Sequence, residues 1–334
     1  MKKIGITTTV PVEIIIAAGY IPVDLNNLFI TSNNYLKYIE IAEKDGFPKS
    51  MCSWIKGIYG AIIDNNIEHV VGVVEGDCSN TSSLIEILKL KGIKILEFGF
   101  PRSRNIDDLK KVMDRFAAEL GTTIESGEKI KKELFNIREL SIEIDNLTIE
   151  KKISGFENHL NLVSCSDFNG NYKKFEAELK TLSETAKVRT SLNKDIKVAY
   201  IGVPPMFGEI YNYIESLGGI VVYNEVQREF SFPRHKESSS LYEQYIDYTY
   251  PYSIDFRYEI IKREIDKRNI DCVIHYTQSF CHKSIDNIYF KNMLKIPLLN
   301  IEGDRSCELD SRTKLRIESF IDMVKNLKLK KVNL

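Results

Sequence analysis

The sequence carries no excess of charge of either sign. Its 46 basic and 47 acidic side chains leave a formal net charge of −1 over 334 residues. Proteins that bind nucleic acid usually present a basic patch that follows the phosphates, and no basic tract stands out here. We therefore expect no nucleic-acid partner.

Long apolar runs are also absent. No window reaches the roughly 20 apolar residues with which a helix crosses a bilayer. The opening Met1-Lys2-Lys3 leads directly into a strand-like segment containing Thr7, Thr8 and Thr9, and not into the apolar stretch of a secretion signal. These features predict a cytoplasmic protein that does not contact a membrane.

Cysteine is sparse. The six positions are Cys52, Cys78, Cys165, Cys272, Cys281 and Cys307. Disulfides are rare in a reducing compartment, so these residues are expected to be buried thiols or metal ligands. Their spacing alone indicates no cluster, because 25 and then 202 residues separate Cys52, Cys78 and Cys281.

Strand-like and helical segments alternate in two series. Predicted strands lie at 4–7, 21–25, 69–74 and 93–98 in the first series, and at 196–202, 219–223, 272–276 and 296–302 in the second. This alternation is typical of parallel, doubly wound sheets. The sequence therefore predicts an α/β fold of two domains, 1–185 with a helical extension and 186–334, joined by the polar stretch 185–195.

Two segments are less regular. Residues 124–153 are dense in Lys, Glu and spaced aliphatic side chains, which predicts one or two helices with a solvated face. Residues 228–258 include six tyrosines, interrupted by Pro233 and Pro251. For this second segment two interpretations stay open, a lid or ligand loop and a helix packed through its aromatic rings.

Three of the cysteines fall at loop–helix boundaries. Cys78 and Cys281 follow predicted strands, and Cys52 opens an amphipathic segment. Ligands of parallel α/β sheets bind beyond the carboxyl ends of the strands. Helix N-termini also favour the thiolate that a metal requires. From the residues alone, a shared metal site and a set of unrelated buried thiols both remain open.

The order of the motifs along the chain is more specific than any one of them. They are PVEIIIAAGYIPVDL, MCSWIKGIYGAI, VVEGDCSNT, IKVAYIGVPP, LGGIVVYNE, DCVIHYTQSFC, IPLLNIEGD and RIESF. In these segments the chain resembles the 2-hydroxyacyl-CoA dehydratase D-components. That family includes the cluster-bearing subunits of benzoyl-CoA reductase and the double-cubane cluster proteins.

The resemblance implies a fold and a cofactor. Its members have two flavodoxin-like α/β domains with a [4Fe–4S] cluster between them. Carried over by motif, the cluster ligands are Cys52, Cys78 and Cys281, and three cysteines on a four-iron cube leave one iron open. The alternative in the same family is a double-cubane [8Fe–9S] cluster.

The resemblance also implies a reaction. The family uses one low-potential electron to form a ketyl radical, so that a small substrate is dehydrated or reduced. The electron comes from a separate ATP-hydrolysing iron–sulfur activator. This sequence has no phosphate-binding loop of its own. Further partners would be a related subunit, or a second copy in a dimer, and a small-molecule substrate, with an acyl-CoA as one option. The Thr- and Asn-rich opening favours a substrate other than a CoA ester.

No catalytic residue is assigned. Cys165 and Cys272 are predicted to be buried thiols, whereas the junction position of Cys307 also suits a ligand. Near the proposed ligands lie polar residues with several open roles, namely Glu75, Asp77, His282 and Arg316. Two other functions remain open: a non-catalytic electron-transfer scaffold in which Cys307 caps the fourth iron, and a metal-free two-lobed ligand-binding protein.

Overall fold

The computed structural model describes residues 2–332. Two parallel sheets of four strands each organise this part of the chain. The strands of the first sheet are β1 (Lys3–Ile6), β2 (Ile21–Asp24), β3 (His69–Glu75) and β4 (Lys94–Gly99). Those of the second are β5 (Ile196–Gly202), β6 (Gly219–Asn224), β7 (Cys272–Gln278) and β8 (Leu298–Gly303). We call each sheet with its covering helices the first and the second lobe.

Helices connect the strands and cover the sheets. They are α1 (Val12–Ala17), α2 (Leu25–Ile30), α3 (Tyr35–Lys44), α4 (Ser53–Asp64), α5 (Ser79–Leu90), α6 (Ile106–Glu119), α7 (Ile124–Ile149), α8 (Gly155–Ser164), α9 (Tyr172–Lys187), α10 (Glu209–Ser216), α11 (Glu225–Glu229), α12 (Leu241–Ile246), α13 (Ile254–Arg268), α14 (Asp286–Met293) and α15 (Ser311–Val332). Short 3-10 helices occupy Phe168–Gly170 and His282–Ile285. None of the helices in the described part of the chain is long and apolar enough to cross a membrane.

Both sheets have the same strand order. The first runs β2-β1-β3-β4 and the second β6-β5-β7-β8, with every neighbouring pair parallel. A 2-1-3-4 order is that of the flavodoxin-like doubly wound fold. The predicted fold class is therefore confirmed. In both sheets the carboxyl ends of the strands meet at one edge, which is where such folds bind ligands.

The central strands form because their side chains are apolar on both faces. All seven residues of β7 are buried, and in β5 only Lys197 is more than slightly exposed. Strands that helices cover on both faces appear in a sequence as nearly continuous apolar runs. These strands could therefore be predicted from the sequence.

The long segment α7 is a single helix, within the one or two that the sequence predicts. Lys129, Lys132, Glu133 and Asn136 are exposed, so the predicted solvated face is present. The rest of the helix has ten buried residues, and these include the charged Arg138 and Asp145. Arg138 pairs with buried Glu13 of α1, so the charge is compensated inside the protein.

The tyrosine-rich segment crosses from the second sheet to the first lobe. It contains α11 and α12, and Tyr245, Tyr248 and Tyr252 pack in the core beneath β1 and β4. The hydroxyl of Tyr245 donates to Glu13 at 2.6 Å. Of the two interpretations left open for this segment, packing through aromatic rings is therefore the one that the structure shows, although the helices are short. The two lobes are in contact through this segment. The predicted domain boundary between residues 185 and 186 lies in the last turn of α9 and stays a prediction.

Candidate functional site

A cavity of about 390 Å³ lies among the carboxyl ends of strands from both sheets. It is lined by residues at or just beyond the ends of β1, β2, β3, β5, β6, β7 and β8. These include Thr7, Asp24, Cys78, Val203, Val226, Cys281 and Cys307. Helices α2, α4 and α8 supply most of the remaining wall. The cavity thus occupies the position at which the fold predicts a ligand.

Cys52 reaches this cavity from the start of α4. It is the N-cap residue of that helix and is buried. The nearby backbone amides of Trp54 and Ile55 lower the pKa of its thiol, against the larger effect of burial. Ser53, the next residue, hydrogen-bonds to Asp304 after β8, which ties this helix start to the second lobe.

Cys78 follows β3 and is the N-cap of α5. The helix begins at Ser79, so the cysteine itself occupies the capping position. The N–H of Cys78 donates to Asp77 Oδ1 at 2.8 Å, and the hydroxyl of Thr81 donates to Asp77 Oδ2 at 3.0 Å. Thr81 Oγ1 also lies 3.5 Å from the sulfur.

Cys281 follows β7 and precedes the 3-10 helix His282–Ile285. Its N–H donates to the carbonyl of Gln278 at 3.0 Å, and the nearby amide of Lys283 lowers the pKa of its thiol, against the larger effect of burial. Like Cys52 and Cys78, it is the N-cap residue of a helical segment, and the free amides of a helix start favour a negative sulfur.

Burial raises the pKa of all three thiols. Burial chiefly raises that of Cys52, to about 11, and the negative charges of Cys281 and Cys78 act in the same direction. Burial, and then the carboxylate of Asp77, raises the pKa of Cys78. The three residues line one cavity although they come from both lobes. A positively charged metal would reverse the balance and favour the thiolates.

The other three cysteines divide as follows. Cys165 is buried at the end of α8, where its sulfur donates to Ser141 Oγ at 3.2 Å, and Cys272 is buried inside β7. The predicted buried status of both is confirmed. Cys307 is half-buried, lines the same cavity, and lies beside the hydroxyl of Tyr35.

Of the four polar residues that were named with the cysteines, two line the cavity and two do not. Asp77 and His282 line the cavity. Glu75 instead accepts a hydrogen bond from the N–H of Arg102 at 3.0 Å. Arg316 donates to the carbonyl of Asn300 at 2.6 Å.

Several lining residues were missed by the sequence. Trp54 donates from Nε1 to Asn26 Oδ1 at 2.7 Å, and Asn26 in turn donates to Asp24 Oδ1. His159 of α8 stacks on Tyr211 with ring centroids 4.9 Å apart, and burial lowers its pKa to about 4. Of these residues, only Asp24 could have been predicted to line the cavity, because it lies at the end of a strand, β2. The others lie within helices.

Single-ion binding finds no support in the geometry. Among residues 2–332, no group of three or more His, Cys, Asp and Glu side chains could hold one metal ion. An iron–sulfur cluster differs from a single ion in the ligand spacing that it requires. Each cysteine would bond a different iron, so the cysteine sulfurs would be farther apart.

The fold and this cavity define a two-lobed, doubly wound α/β protein with cysteines at the carboxyl edges of both lobes. Residues 7–324 match the family described as 2-hydroxyglutaryl-CoA dehydratase, D-component. Because the match covers nearly the whole chain, the chain belongs to this family, and the resemblance stated from the motifs is confirmed. A comparison with curated proteins gives no match.

Proposed function

We propose that this chain is the iron–sulfur component of a 2-hydroxyacyl-CoA dehydratase-like or benzoyl-CoA reductase-like system. Cys52, Cys78 and Cys281 would each bind one iron of a [4Fe–4S] cluster, leaving the fourth iron open to substrate. Membership in a dehydratase-component family supports a lyase-type role. Dehydration and low-potential reduction are the two reactions this proposal includes.

One observation carries the proposal. Cys52, Cys78 and Cys281, which are distant in sequence, line a single cavity. Each also occupies the capping position of a helical segment. Unrelated buried thiols have no reason to share both features.

The donor set fits a cluster in chemical type. Thiolates are the ligands that iron–sulfur clusters prefer. The nearby amides of Trp54, Ile55 and Lys283 favour the charged form of the Cys52 and Cys281 sulfurs and so lower their pKa, against the larger effect of burial.

The bound cluster would supply one low-potential electron to the substrate. The chain's own residues would hold and shield that substrate. Trp54, Ile55 and Ile58 of α4 and Pro204 and Pro205 after β5 would limit the access of water to the cavity. Asp77 lies beside Cys78, and burial raises its pKa to about 6.

The direct test is the iron and sulfide content of anaerobically purified protein, with electron paramagnetic resonance. About four irons per chain are expected for one cube, whereas about eight would indicate the double-cubane alternative. Replacement of Cys52, Cys78 or Cys281 by Ala should remove most of the iron. Cys165→Ala is the matched control, because this thiol is buried away from the cavity and should leave the iron content unchanged.

A second function rests on Cys307. Because this thiol lines the same cavity, it could cap the fourth iron and make the chain an electron-transfer scaffold. Cys307→Ala would then alter the cluster spectrum, and candidate substrates would leave the wild-type spectrum unchanged. Colourless, iron-free protein that tolerates all the cysteine replacements would favour the metal-free ligand-binding alternative.

The proposal includes partners. A separate ATP-dependent iron–sulfur activator would deliver the electron, and a related subunit or a second copy of this chain would complete the enzyme. Dependence of substrate turnover on added activator and ATP, with none by this chain alone, is the corresponding assay.

A further inference from the structure

Two buried carboxyl groups meet at one wall of the cavity. Asp24 ends β2 and is 5% exposed, and Asp167 precedes the 3-10 helix Phe168–Gly170 and is 8% exposed. The N–H of Asp24 donates to Asp167 Oδ2 at 2.7 Å. Asp24 lines the cavity, and Asp167 lies behind it. The two acidic residues are therefore neighbours in the fold, although they are 143 positions apart in the sequence.

The hydrogen bonds to this pair come from neutral donors. Asp24 Oδ1 accepts from the backbone N–H and from the side-chain amide of Asn26, both at 2.8 Å. Asp167 Oδ1 accepts from the N–H of Asn169 at 3.0 Å. Neither carboxyl forms an ion pair with a basic side chain of the described residues. Two neighbouring buried carboxylates without a cation are costly, so one of them keeps a proton more readily than a carboxyl in water does.

The ionisable groups around the pair do not supply that cation. Burial raises the pKa of Cys165, at the end of α8, to about 11, so its thiol is neutral near pH 7. Burial lowers the pKa of His159, also on α8, to about 4, so its ring is neutral as well. Arg138 of α7, whose charge reaches Cys165, pairs with the buried Glu13 of α1. The side chains that α2 and α4 bring to this wall, Asn26, Asn27 and Trp54, carry no charge.

The pKa values agree with this arrangement. Burial raises the pKa of Asp167 to about 7, and the charge of Asp24 acts in the same direction. Burial also raises the pKa of Asp24, although hydrogen bonds from Ser166 and Asn26 oppose it. A group that titrates near neutral pH can both give and take up a proton there, which is what acid–base catalysis requires.

Helix capping explains only part of the arrangement. Asp24 is the N-cap residue of α2, and Asp167 is that of the 3-10 helix. A cap needs one accepting oxygen, which asparagine provides equally well. Capping therefore does not account for two carboxyl groups packed together without a cation, one of them on a cavity wall.

We propose that Asp24 and Asp167 together hold one proton near neutral pH, and that Asp24 exchanges this proton with the ligand in the cavity. Asp24 is thus assigned as a catalytic residue, and Asp167 as the residue that positions and retains the proton. The catalytic role rests on the proposed function. The held proton rests on the pair alone.

The pair suits the dehydration that the proposed function includes. Dehydration removes one hydroxide and one proton from the substrate, and together they leave as water. The pair would give its proton to the departing hydroxide, and its free carboxylate would accept the proton of the substrate. The pair then regains its starting state, and neither transfer gains or loses an electron.

Carbon-13 NMR of full-length protein labelled at the aspartate carboxyl carbons tests the held proton. We would titrate the protein from about pH 5 to about pH 9, as purified anaerobically and after iron removal. One carboxyl resonance should titrate near pH 7 and be absent from Asp167→Asn. In Asp24→Asn it should titrate at least about one pH unit lower, because the neighbouring negative charge is gone.

Two comparisons make this assignment specific. The Asp77 resonance, whose midpoint lies near pH 6, should persist in both variants. Asp64→Asn, which changes an exposed pair with Lys37, is the matched control and should leave the titration near pH 7 in place. No carboxyl titrating near pH 7 in the wild type, or an unaltered midpoint in Asp24→Asn, would overturn the proposal.

Turnover with activator and ATP tests the catalytic role. Asp24→Asn should lose about a hundredfold or more of the rate and keep its iron. Asp167→Asn should stay partly active, with the alkaline limb of its pH profile moved to lower pH, because Asp24 then loses its proton more easily. Full turnover by an iron-replete Asp24→Asn would reject the catalytic role. Wild-type protein without iron would instead reject the proposed function, and the NMR titration would still decide whether the pair holds a proton.

Discussion

The hydroxyl of Ser53 donates a 2.9 Å hydrogen bond to Asp304 Oδ1 and so joins the two lobes beside the cavity. Ser53 directly follows Cys52 at the start of α4, and Asp304 directly follows β8. The helix that presents one proposed ligand is thus fixed to the sheet edge of the other lobe. Such a contact limits how far the proposed ligands can move apart.

Ser53→Ala should lower the free energy of unfolding by about 1–3 kcal/mol, because a buried donor is lost and the carboxylate loses its partner. Urea unfolding measures this change. Ser279→Ala is the control, since its hydroxyl also binds a carboxylate, Glu302, at 2.9 Å, but at an exposed position within one lobe. It should cost less than about 0.5 kcal/mol. Similar losses in both variants would argue against a stabilising role for the inter-lobe contact.

Gly76 links the Cys78 turn to the tyrosine-rich segment. Its φ is +94°, and an added Cβ would lie 2.5 Å from Cβ of Pro251. Gly92 also has a positive φ, +79°, but no atom of the described residues outside its immediate neighbours lies within 4 Å of its Cβ position. The two glycines thus share a conformational requirement and differ in steric surroundings.

Gly92→Ala should cost about 1–2 kcal/mol of unfolding free energy from backbone strain alone. Gly76→Ala should cost more, because Pro251 must also move, and it should reduce the iron content if Cys78 binds the cluster. Urea unfolding and iron analysis of the two variants test both effects. A Gly76→Ala variant as stable as Gly92→Ala would show that the close approach to Pro251 relaxes freely.

The positions of Cys78 and Cys281 could be predicted because the signals are local. Each follows an apolar run short enough for a strand, and each precedes a helical pattern. The α/β order then places both residues at a carboxyl edge. The same reasoning recovered all eight strands of the described sheets within a few residues.

Other parts of the site could not be predicted, because the contacts that define them are distant in sequence. Tyr245 binds Glu13, 232 residues away, so no pattern within the tyrosine-rich segment reveals that it crosses between lobes. Arg138 and Asp145 were expected to lie on the solvated face of their helix, because charged residues on helices usually face water. Their oppositely charged partners lie 83 to 125 residues away.

Asp145 of α7 anchors a buried network between the lobes. Its Oδ2 lies 2.9 Å from Nε of Arg228 on α11, and its Oδ1 lies 3.2 Å from Nη1 of Arg268 on α13. The two guanidinium groups hold the pKa of this carboxyl well below its usual range, although burial opposes them. The carboxylate therefore stays charged, and together with Glu264 it compensates both arginines.

Asp145→Ala should destabilise the protein by about 3–5 kcal/mol, because Glu264 alone would then face two buried guanidinium groups. The comparison is Asp64→Ala, which breaks an exposed pair with Lys37 and should cost about 1 kcal/mol or less. Urea unfolding of both variants gives the difference. If the two losses were similar, the buried network would contribute no more than a surface ion pair.

His275 predicts how stability depends on pH. It is fully buried in β7, neither ring nitrogen has a hydrogen-bond partner among the described residues, and its ring meets the edge of Phe290. Burial lowers its pKa to about 4. An unfolded histidine has a pKa of about 6.5, so between about pH 6.5 and pH 4 the unfolded chain binds more protons than the folded one. Stability is therefore lost as the pH falls through this window.

The loss from this one residue should reach about 3 kcal/mol near pH 4. His275→Phe removes the titrating ring and its unpaired nitrogens, so the variant should lose less stability than wild type between pH 6.5 and pH 4. Unfolding free energies from urea titrations across that range measure the two slopes, and carboxylates that titrate in both proteins cancel in the difference. His69→Phe, at the partly exposed start of β3, controls for a phenyl ring in place of imidazole. Parallel pH profiles for wild type and His275→Phe would mean that His275 is protonated as readily in the folded chain as in the unfolded one.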